Sequence, residues 1–255
     1  MRQCWLIVVL FLLASCGPVK PEPNTLDFSV RSEPCQPISV QQQDYVVCQF
    51  LPATHAIRLF HSDAQGEPYR QFINLVEALE AQGQSLIFAM NGGMYHEDRR
   101  PVGYYRDEHG DRATVNLNEG PGNFHLKPNG VFWLKGQSAG INESADYLDQ
   151  AIDPDYATQS GPLLVLNNQV HPGLNPDGVS RKRRNGVGVS ADGKKVYFVI
   201  SDSAVTFHEF ASLFRDQLAT PNALFLDGQV SRIYAPHINR NELGADLGPI
   251  VGVVE

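Results

Sequence analysis

The sequence predicts a single α+β domain with a mixed central β-sheet and a few packed helices. Short apolar runs such as 195–200 and 223–226 end in turn residues, which is typical of buried strands. Two segments, 69–81 and 206–218, repeat apolar residues at helical spacing. No low-complexity linker and no fixed-period repeat interrupts residues 38–255, and that length is sufficient for one hydrophobic core.

The N-terminal segment predicts export. Residues 1–15 combine Arg2 with an unbroken apolar run from Trp5 to Leu13. This run is shorter than the about 20 residues that a membrane-spanning helix needs. It is therefore interpreted as the core of a signal peptide.

The end of this segment, Leu13-Ala14-Ser15-Cys16, resembles a bacterial lipobox, which is cleaved before the cysteine and lipidated on its thiol. The alternative is an ordinary secretory signal with a cysteine near its cleavage site. Under the lipoprotein interpretation, buried lipid CH₂ groups anchor the protein to a membrane. Gly17 follows the cysteine, and by similarity to sorted lipoproteins this favours the outer membrane of a bacterial envelope, facing the periplasm.

Residues 16–37 are rich in proline and have no apolar period, so we expect a lipidated N-terminus and a tether ahead of a domain at 38–255. Removal of residues 1–15 takes away one cation, Arg2, and no acid, which changes the formal net charge from −8 to −9. This charge argues against nucleic acid as a partner. The basic run Arg181–Arg184 is a local exception in an acidic protein.

The cysteines predict one disulfide. With Cys16 lipidated after signal cleavage, Cys35 and Cys48 are the only remaining pair, and an exported protein folds in an oxidising compartment. The alternative is two unrelated thiols.

The clearest elements lie in the C-terminal half. Residues 187–189 and 195–200 are predicted to form a hairpin around Asp192-Gly193. Thr206 and Glu209 have the spacing of a capping box, which would open a helix over 206–218.

The same plan occurs twice in the chain. Helix 69–81 leads into a buried strand at 86–90 and then into Asn91, and helix 206–218 leads into strand 223–226 and then into Asp227. If the two strands were parallel neighbours, Asn91 and Asp227 would emerge at the same edge of a sheet, where α/β enzymes place their chemistry.

The middle of the chain is less regular. Residues 97–122 form a long polar stretch of the kind that often binds ligands. Strands are predicted at 131–134 and 163–166, the latter entering a hairpin at 167–170, and a short helix at 144–152.

Four motifs occur in a fixed order along the chain: Asn91-Gly92-Gly93-Met94-Tyr95, Ser160-Gly161-Pro162, Arg184-Asn185-Gly186-Val187-Gly188 and Leu226-Asp227-Gly228-Gln229-Val230-Ser231. Over roughly residues 55–254 this order resembles the phosphodiester glycosidase family. Gln229 and Val230 replace two of the three glycines that the family has after its aspartate.

The resemblance implies a hydrolase that cleaves a sugar from a sugar-1-phosphodiester. The leaving phosphate monoester has a second pKa near 6, so it can leave as an anion without a strong general acid. The site then needs donors on the phosphate and a carboxylate near the oxocarbenium-like carbon. Arg184 is the expected phosphate clamp and Asp227 the expected nucleophile or base.

The other expected site residues follow from the same resemblance. Asn91 and the backbone N–H groups of Gly92 and Gly93 would hold the phosphate or a sugar hydroxyl. Gln159 and Ser160 would line the pocket, Ser231 would support Asp227, and Asp202 either lines the pocket or caps a turn. We expect no cofactor and no protein metal site, and leave a divalent-metal requirement open. We also expect a monomer whose partner is a carbohydrate phosphodiester.

Each assignment has a structural alternative. Asp227-Gly228 and Asn91-Gly92-Gly93 could be simple turns, and Arg181–Arg184 could be a solvated loop. The polar run His96-Glu97-Asp98 is interpreted as loop surface, because three sequence neighbours rarely converge on one metal ion. Two other functions also stay open: an inactive glycan-binding lipoprotein, and a conventional glycosidase that uses Asp227 with Asp202 or Glu97.

The lipoprotein interpretation predicts the effect of one substitution. Cys16→Ser removes the thiol that would carry the lipid, so the variant should leave the membrane fraction or stall in processing. Fractionation and mass measurement of the mature N-terminus check this. A variant that fractionates with membranes like the parent would contradict it.

Overall fold

The computed structural model describes Met1, residues 33–228 and residues 230–255. The predicted signal peptide, Cys16, most of the predicted tether and Gln229 lie outside the described residues. The described strands are β1 (Cys35–Val40), β2 (Gln43–Phe50), β3 (Ala56–Phe60), β4 (Leu86–Asn91), β5 (Tyr105–Asp107), β6 (Gly110–Ala113), β7 (Gly130–Lys135), β8 (Ser138–Glu143), β9 (Tyr156–Ser160), β10 (Leu163–Leu166), β11 (Gln169–Val170), β12 (Asn185–Val189), β13 (Val196–Ser201), β14 (Asn222–Phe225), β15 (Ile233–Ala235), β16 (Arg240–Asn241) and β17 (Ile250–Val254).

The strands form three sheets. The first has the order β1-β2-β13-β12-β14-β10-β11, the second β16-β15-β4-β17-β3, and the third β6-β5-β9-β7-β8. The helices are α1 (Phe72–Glu80), α2 (Ser144–Asp149) and α3 (Phe207–Ser212), and α3 continues into a π-helical turn at Leu213–Gln217. Short 3₁₀ turns lie at Asn123–His125 and Pro236–Ile238. The predicted α+β class with few helices is confirmed.

The predicted mixed sheet is wrong, because every strand pair among the described residues is antiparallel. The reason lies in the two helical crossovers. Helix α3 connects β13 to β14, but β12 lies between them and pairs antiparallel with both. Helix α1 connects β3 to β4, and β17 fills the gap in the same way. Each crossover therefore joins strands that run in the same direction without being neighbours.

Strand β13 shows where the cores lie. Its residues alternate between two clusters: Val196, Phe198 and Ile200 face the core enclosed by the three sheets, while Tyr197 and Val199 face the core under α3. Both faces of the strand are covered, which explains its almost wholly apolar sequence. A third cluster packs α1 on the outer face of the second sheet.

The helix predictions hold with shifted ends. Thr206 and Glu209 form the predicted capping box, with bonds of 3.1 and 2.8 Å to each other's backbone N–H groups. Helix α1 begins at Phe72 rather than Tyr69, because Gln71 has an extended backbone. None of the helices in the described part of the chain has the length and apolar character needed to cross a membrane.

The middle of the chain is more ordered than its sequence indicated. The stretch 97–122 contains the hairpin β5–β6, which attaches to β9 of the third sheet. The predicted strands at 131–134 and 163–166 are present as β7 and β10, and the hairpin to β11 is present as well.

The N-terminal strands carry the predicted disulfide. Cys35 and Cys48 lie directly opposite each other in the β1–β2 pair and are covalently joined. Strand β1 begins at Cys35, so residues 35–37 belong to the folded domain rather than to the tether.

Candidate active site

The site lies where β14 ends and β12 begins. Gly186 of β12 pairs with Phe225 of β14 in antiparallel register. The start of one strand therefore lies beside the end of the other. This register brings Arg184 and Asn185 next to Asp227.

The second sheet reaches the same point from the other side. Asn91 ends β4, where it pairs with Ile250 of β17, and its neighbour Met90 pairs with Ile233 of β15. Asn91 Nδ2 lies 3.4 Å from the carbonyl oxygen of Asp227. The expected meeting of Asn91 and Asp227 is therefore observed, but the assumed parallel pairing is wrong, because β4 and β14 belong to different sheets.

Asp227-Gly228 is not a hairpin turn. The chain leaves the first sheet at Phe225 and enters the second sheet at Ile233, so Asp227 lies in the connection between two sheets. The side-chain Oδ1 of Asn185 accepts a 2.9 Å bond from the N–H of Asp227, and Ser231 Oγ donates a 2.8 Å bond to its carbonyl oxygen. The expected support of Asp227 by Ser231 is thus a backbone contact.

Two buried asparagines, Asn91 and Asn185, connect the first sheet to the second. We call their buried hydrogen bonds the seam between the sheets. Asn185 Nδ2 donates to the carbonyl oxygen of Asn91 at 3.1 Å, and Asn91 Oδ1 accepts from the N–H of Arg232 at 2.9 Å. Both side chains are buried and neither lines the cleft described next. Asn91 was expected to contact substrate. It instead contacts the backbone of Asp227 from the buried side, away from the cleft.

A cleft of about 610 Å³ opens in front of Asp227. This volume lies within the roughly 300–1,000 Å³ of ligand pockets. Its lining residues are Met94, Tyr95, His96, Val102, Pro121, Gly122, Asn123, Phe124, His125, Lys182, Arg184, Asp227 and Gly228. Among these described residues Asp227 is the one carboxylate, and it shares the cleft with two permanent cations and two histidines.

Arg184 is held firmly within the cleft wall. Its side chain is buried, with Nε donating to the carbonyl oxygen of Val205 at 3.0 Å and an NH₂ group donating to that of Ser180 at 3.1 Å. The guanidinium carbon lies 3.6 Å from the ring centre of Phe207, a cation–π contact. Burial lowers the pKa of Arg184 to about 10, so the group remains charged at neutral pH.

The four basic residues 181–184 alternate between two environments: every second one pairs with carboxylates, and the others line the cleft. Arg181 pairs with Glu209, and Arg183 pairs with Asp202 and Glu242. Lys182 and Arg184 line the cleft instead. The backbone of Lys182 forms a two-way bridge with Val205, at 3.0 and 2.9 Å, which fixes this alternation.

Asp202 is not among the cleft-lining residues, which corrects its expected role there. It binds Arg183 at 3.2 Å and Arg240 at 2.8 Å, and Glu242 completes the network. Burial alone would raise the pKa of Asp202, but the bonds and charges of the two arginines lower it. Arg183 also donates to the carbonyl oxygen of Ser231 at 3.3 Å, so the network braces the segment that carries Asp227.

Gln159 and Ser160 are also absent from the cleft lining. Gln159 is buried and bonds Tyr104, Asn116 and Ser144 at 2.8–3.0 Å, which attaches the 102–116 segment to β9. Ser160 Oγ donates to the carbonyl oxygen of Leu226 at 2.7 Å. Both residues are structural supports, because their polar atoms are already used.

Gly92 and Gly93 are required for close packing. The N–H of Gly92 donates to Pro249 at 2.7 Å, so it is not directed at a ligand. A Cβ atom on Gly93 would lie 2.4 Å from Thr158 Oγ1 and 2.7 Å from the carbonyl oxygen of Gln159. Neither glycine is among the cleft-lining residues, which gives no support to their expected role as donors to the phosphate or a sugar hydroxyl.

Several cleft residues were missed by the sequence analysis. The Tyr95 hydroxyl donates to the backbone carbonyl oxygen of Asp246 at 2.8 Å, and burial, followed by the charge of Asp227, raises the pKa of Tyr95 to about 12. His125 Nδ1 donates to the carbonyl oxygen of Asn118 at 2.9 Å, which leaves Nε2 as the ring atom that can meet a ligand. Tyr95 lies in the first motif, but no local signal marks His125.

The described residues contain no group of three or more His, Cys, Asp or Glu side chains arranged to hold a metal ion. His96 lines the cleft, whereas its neighbours Glu97 and Asp98 do not. The three residues therefore do not converge on one point.

The hydrogen bonds of the seam predict that replacing Asn185 lowers the free energy of unfolding. Asn185→Leu is nearly isosteric but leaves the N–H of Asp227 and the carbonyl oxygen of Asn91 without their buried partner. Each such group costs about 1–3 kcal/mol, so the free energy of unfolding should fall clearly below that of the parent. Urea denaturation measures this, with exposed Asn241→Leu as the matched control. Equal midpoints for the two variants would contradict the role of the seam.

Comparison with known proteins identifies a family and a relative that this chain resembles in sequence. The family model described as "Phosphodiester glycosidase" matches residues 84–247. A relative from Escherichia coli (strain K12), "Uncharacterized protein YigE", is 35% identical over 183 residues, which is 72% of this chain and 71% of the relative.

Two solved structures share the fold. The catalytic domain of zebrafish N-acetylglucosamine-1-phosphodiester alpha-N-acetylglucosaminidase, auto-inhibited by its pro-peptide, superposes with a TM-score of 0.59 at 13% identity, covering 86% of this chain and 81% of that one. A hypothetical protein from Synechocystis superposes with a TM-score of 0.54 at 13% identity, covering 86% and 61%. The sequence matches confirm the resemblance carried by the four motifs: the chain belongs to the phosphodiester glycosidase family.

Proposed function

We propose that this protein hydrolyses a sugar-1-phosphodiester of an envelope or extracellular glycan, releasing the sugar and a phosphate monoester. The observation that carries the proposal is that Asp227 and the buried cation Arg184 line the same cleft. Family membership supports it, as does the activity named for the zebrafish enzyme of similar fold.

The chemistry assigns a separate task to each charge. The guanidinium of Arg184 neutralises the phosphate and stabilises the negative charge that develops on the departing monoester. The carboxylate of Asp227 stabilises or attacks the anomeric carbon as positive charge develops there. Tyr95, held in its protonated form, contributes a wall of the cleft rather than a base.

The geometry favours this reaction over a two-carboxylate glycosidase. That mechanism needs a second carboxyl group in the same cleft. Asp202 is engaged with two arginines, and Glu97 is not among the described residues that line the cleft.

Val230, which replaces a glycine of the family motif, does not occupy space in the cleft. Val230 packs against the cluster under α1 and is not among the cleft-lining residues. Gln229 lies outside the described residues. Val230 in place of glycine is therefore compatible with catalysis.

The cellular setting is part of the proposal and has its support in the sequence alone. We propose an exported protein anchored through lipidated Cys16, in a bacterial outer membrane and facing the periplasm. Its substrate would then be a carbohydrate of that compartment.

The test is a comparison of leaving groups. An aryl sugar-1-phosphodiester and the matching aryl glycoside are offered to the purified protein across several sugars, with and without chelator. The proposal requires turnover of a phosphodiester and a preference for it over the glycoside. Preference for the glycoside indicates a conventional glycosidase, and binding of sugar without turnover of either substrate indicates an inactive glycan-binding protein.

Asp227→Asn should keep the fold and lose turnover by orders of magnitude. The substitution is nearly isosteric, and the backbone bonds to Asn185 and Ser231 do not involve the carboxylate. The negative charge matters most in the transition state, where positive charge develops at the sugar carbon. Kinetics at matched melting temperature measure this. Parental turnover would place the active site elsewhere.

Arg184→Lys should raise the KM for phosphodiesters and leave inhibition by free sugar nearly unchanged. The lysine keeps a positive charge but loses the planar fork and the stacking on Phe207. Steady-state kinetics and sugar inhibition are compared on one substrate. An unchanged KM would mean that the phosphate is held by another group, such as Lys182.

A further inference from the structure

The cleft holds two cations, whereas the single negative charge of a phosphodiester needs one when Asp227 is assigned to the sugar carbon, as in the proposed reaction. Lys182 and Arg184 are the two basic side chains of the cleft, His96 and His125 add ring N–H groups, and Asp227 is the single carboxylate among the described lining residues. A phosphodiester carries one negative charge. Arg184 alone can meet that charge, which leaves Lys182 as a surplus cation in a chain whose formal net charge is −8.

The alternation within the basic run shows that this surplus is specific to the cleft. Arg181 and Arg183 are neutralised by Glu209, Asp202 and Glu242. Neither Lys182 nor Arg184 forms an ion pair with a carboxylate of the described residues. The two unneutralised members are the two that line the cleft.

The two cations lie at different depths. Arg184 is 3% exposed and fixed against Phe207, whereas Lys182 is exposed. Its backbone is nevertheless fixed by the bridge to Val205, so its side chain starts from a defined position. A substrate with its first phosphate on Arg184 would extend a second anionic group towards Lys182.

We propose that the leaving group of the substrate carries a second phosphate and that Lys182 is the residue that recognises it. This rests on the proposed function and specifies its substrate class. Lys182 does not contact the scissile bond in this arrangement. It therefore acts on KM rather than on kcat.

Three probes with the same sugar test this. The first is a phenyl sugar-1-phosphodiester, with one phosphate. The second is the phenyl ester of the sugar-1-diphosphate, and the third is the phosphodiester whose phenyl group carries a phosphate monoester. The last two distinguish an adjacent second phosphate from a distant one.

The full-length protein should have a KM roughly fivefold lower for at least one doubly charged probe, the effect of about 1 kcal/mol from one exposed charge contact. In Lys182→Gln that preference should fall towards one, whereas Lys135→Gln, which removes the same charge from the exposed end of β7, should retain it. Added salt should reduce the preference in the parent, because exposed charges are screened.

A binding measurement separates this inference from the proposed function. Calorimetry in metal-free buffer compares inorganic phosphate with inorganic diphosphate on the parent, Lys182→Gln and Lys135→Gln, and it requires no turnover. Tighter diphosphate binding that depends on Lys182 supports the second phosphate site even if no probe is cleaved. A diphosphate preference that survives in Lys182→Gln overturns it, and so does equal affinity of the parent for the two anions together with equal KM values for the three probes.

Discussion

The hydrogen bond from the N–H of Asp227 to the buried side chain of Asn185 is the contact on which the site depends. The chain passes there from one sheet to another, so the backbone groups of Asp227 have no strand neighbours. Buried backbone polar groups need partners. Asn185, Asn91 and Ser231 supply them through contacts to the backbone N–H and carbonyl oxygen of Asp227.

Arg184 presents the opposite problem, a cation placed where water is largely excluded. A buried charge without an opposite charge is expensive, and buried arginines are usually paired. Here two backbone carbonyl oxygens and the face of Phe207 receive the guanidinium, and no carboxylate of the described residues pairs with it. An arginine held in this way retains its full attraction for an anion. That property is useful for binding phosphate and of no benefit to folding.

Local patterns and motifs predicted most of the elements and two of the residues that line the cleft. The apolar run of β13 and the capping box before α3 are determined by near neighbours, so their sequences are sufficient. Asp227 was found because an Asp-Gly pair follows a buried strand, and Arg184 because it lies in an ordered motif. The insertion of β12 between β13 and β14 depends on long-range pairing. No local pattern encodes that pairing, and the assumed parallel arrangement failed there.

The wrong expectations for the site residues also arose because local patterns do not encode long-range contacts. Asn91, Gln159 and Ser160 lie in or beside the motifs, but a motif does not show which side of the backbone faces the cleft. Lys182 has charged neighbours on both sides, and only its bridge to Val205 decides that it faces the cleft while Arg183 faces Asp202.

The net negative charge of the protein contrasts with the two cations that line the cleft. An acidic surface repels anionic glycans, whereas a cleft with unneutralised cations attracts them, and low-dielectric walls strengthen the local field. Carboxylates pair with Arg181 and Arg183, whereas the two cations of this run that line the cleft form no ion pair with a carboxylate of the described residues. In the proposed reaction, these cations would attract an anionic substrate to the cleft, where Asp227 meets the anomeric carbon.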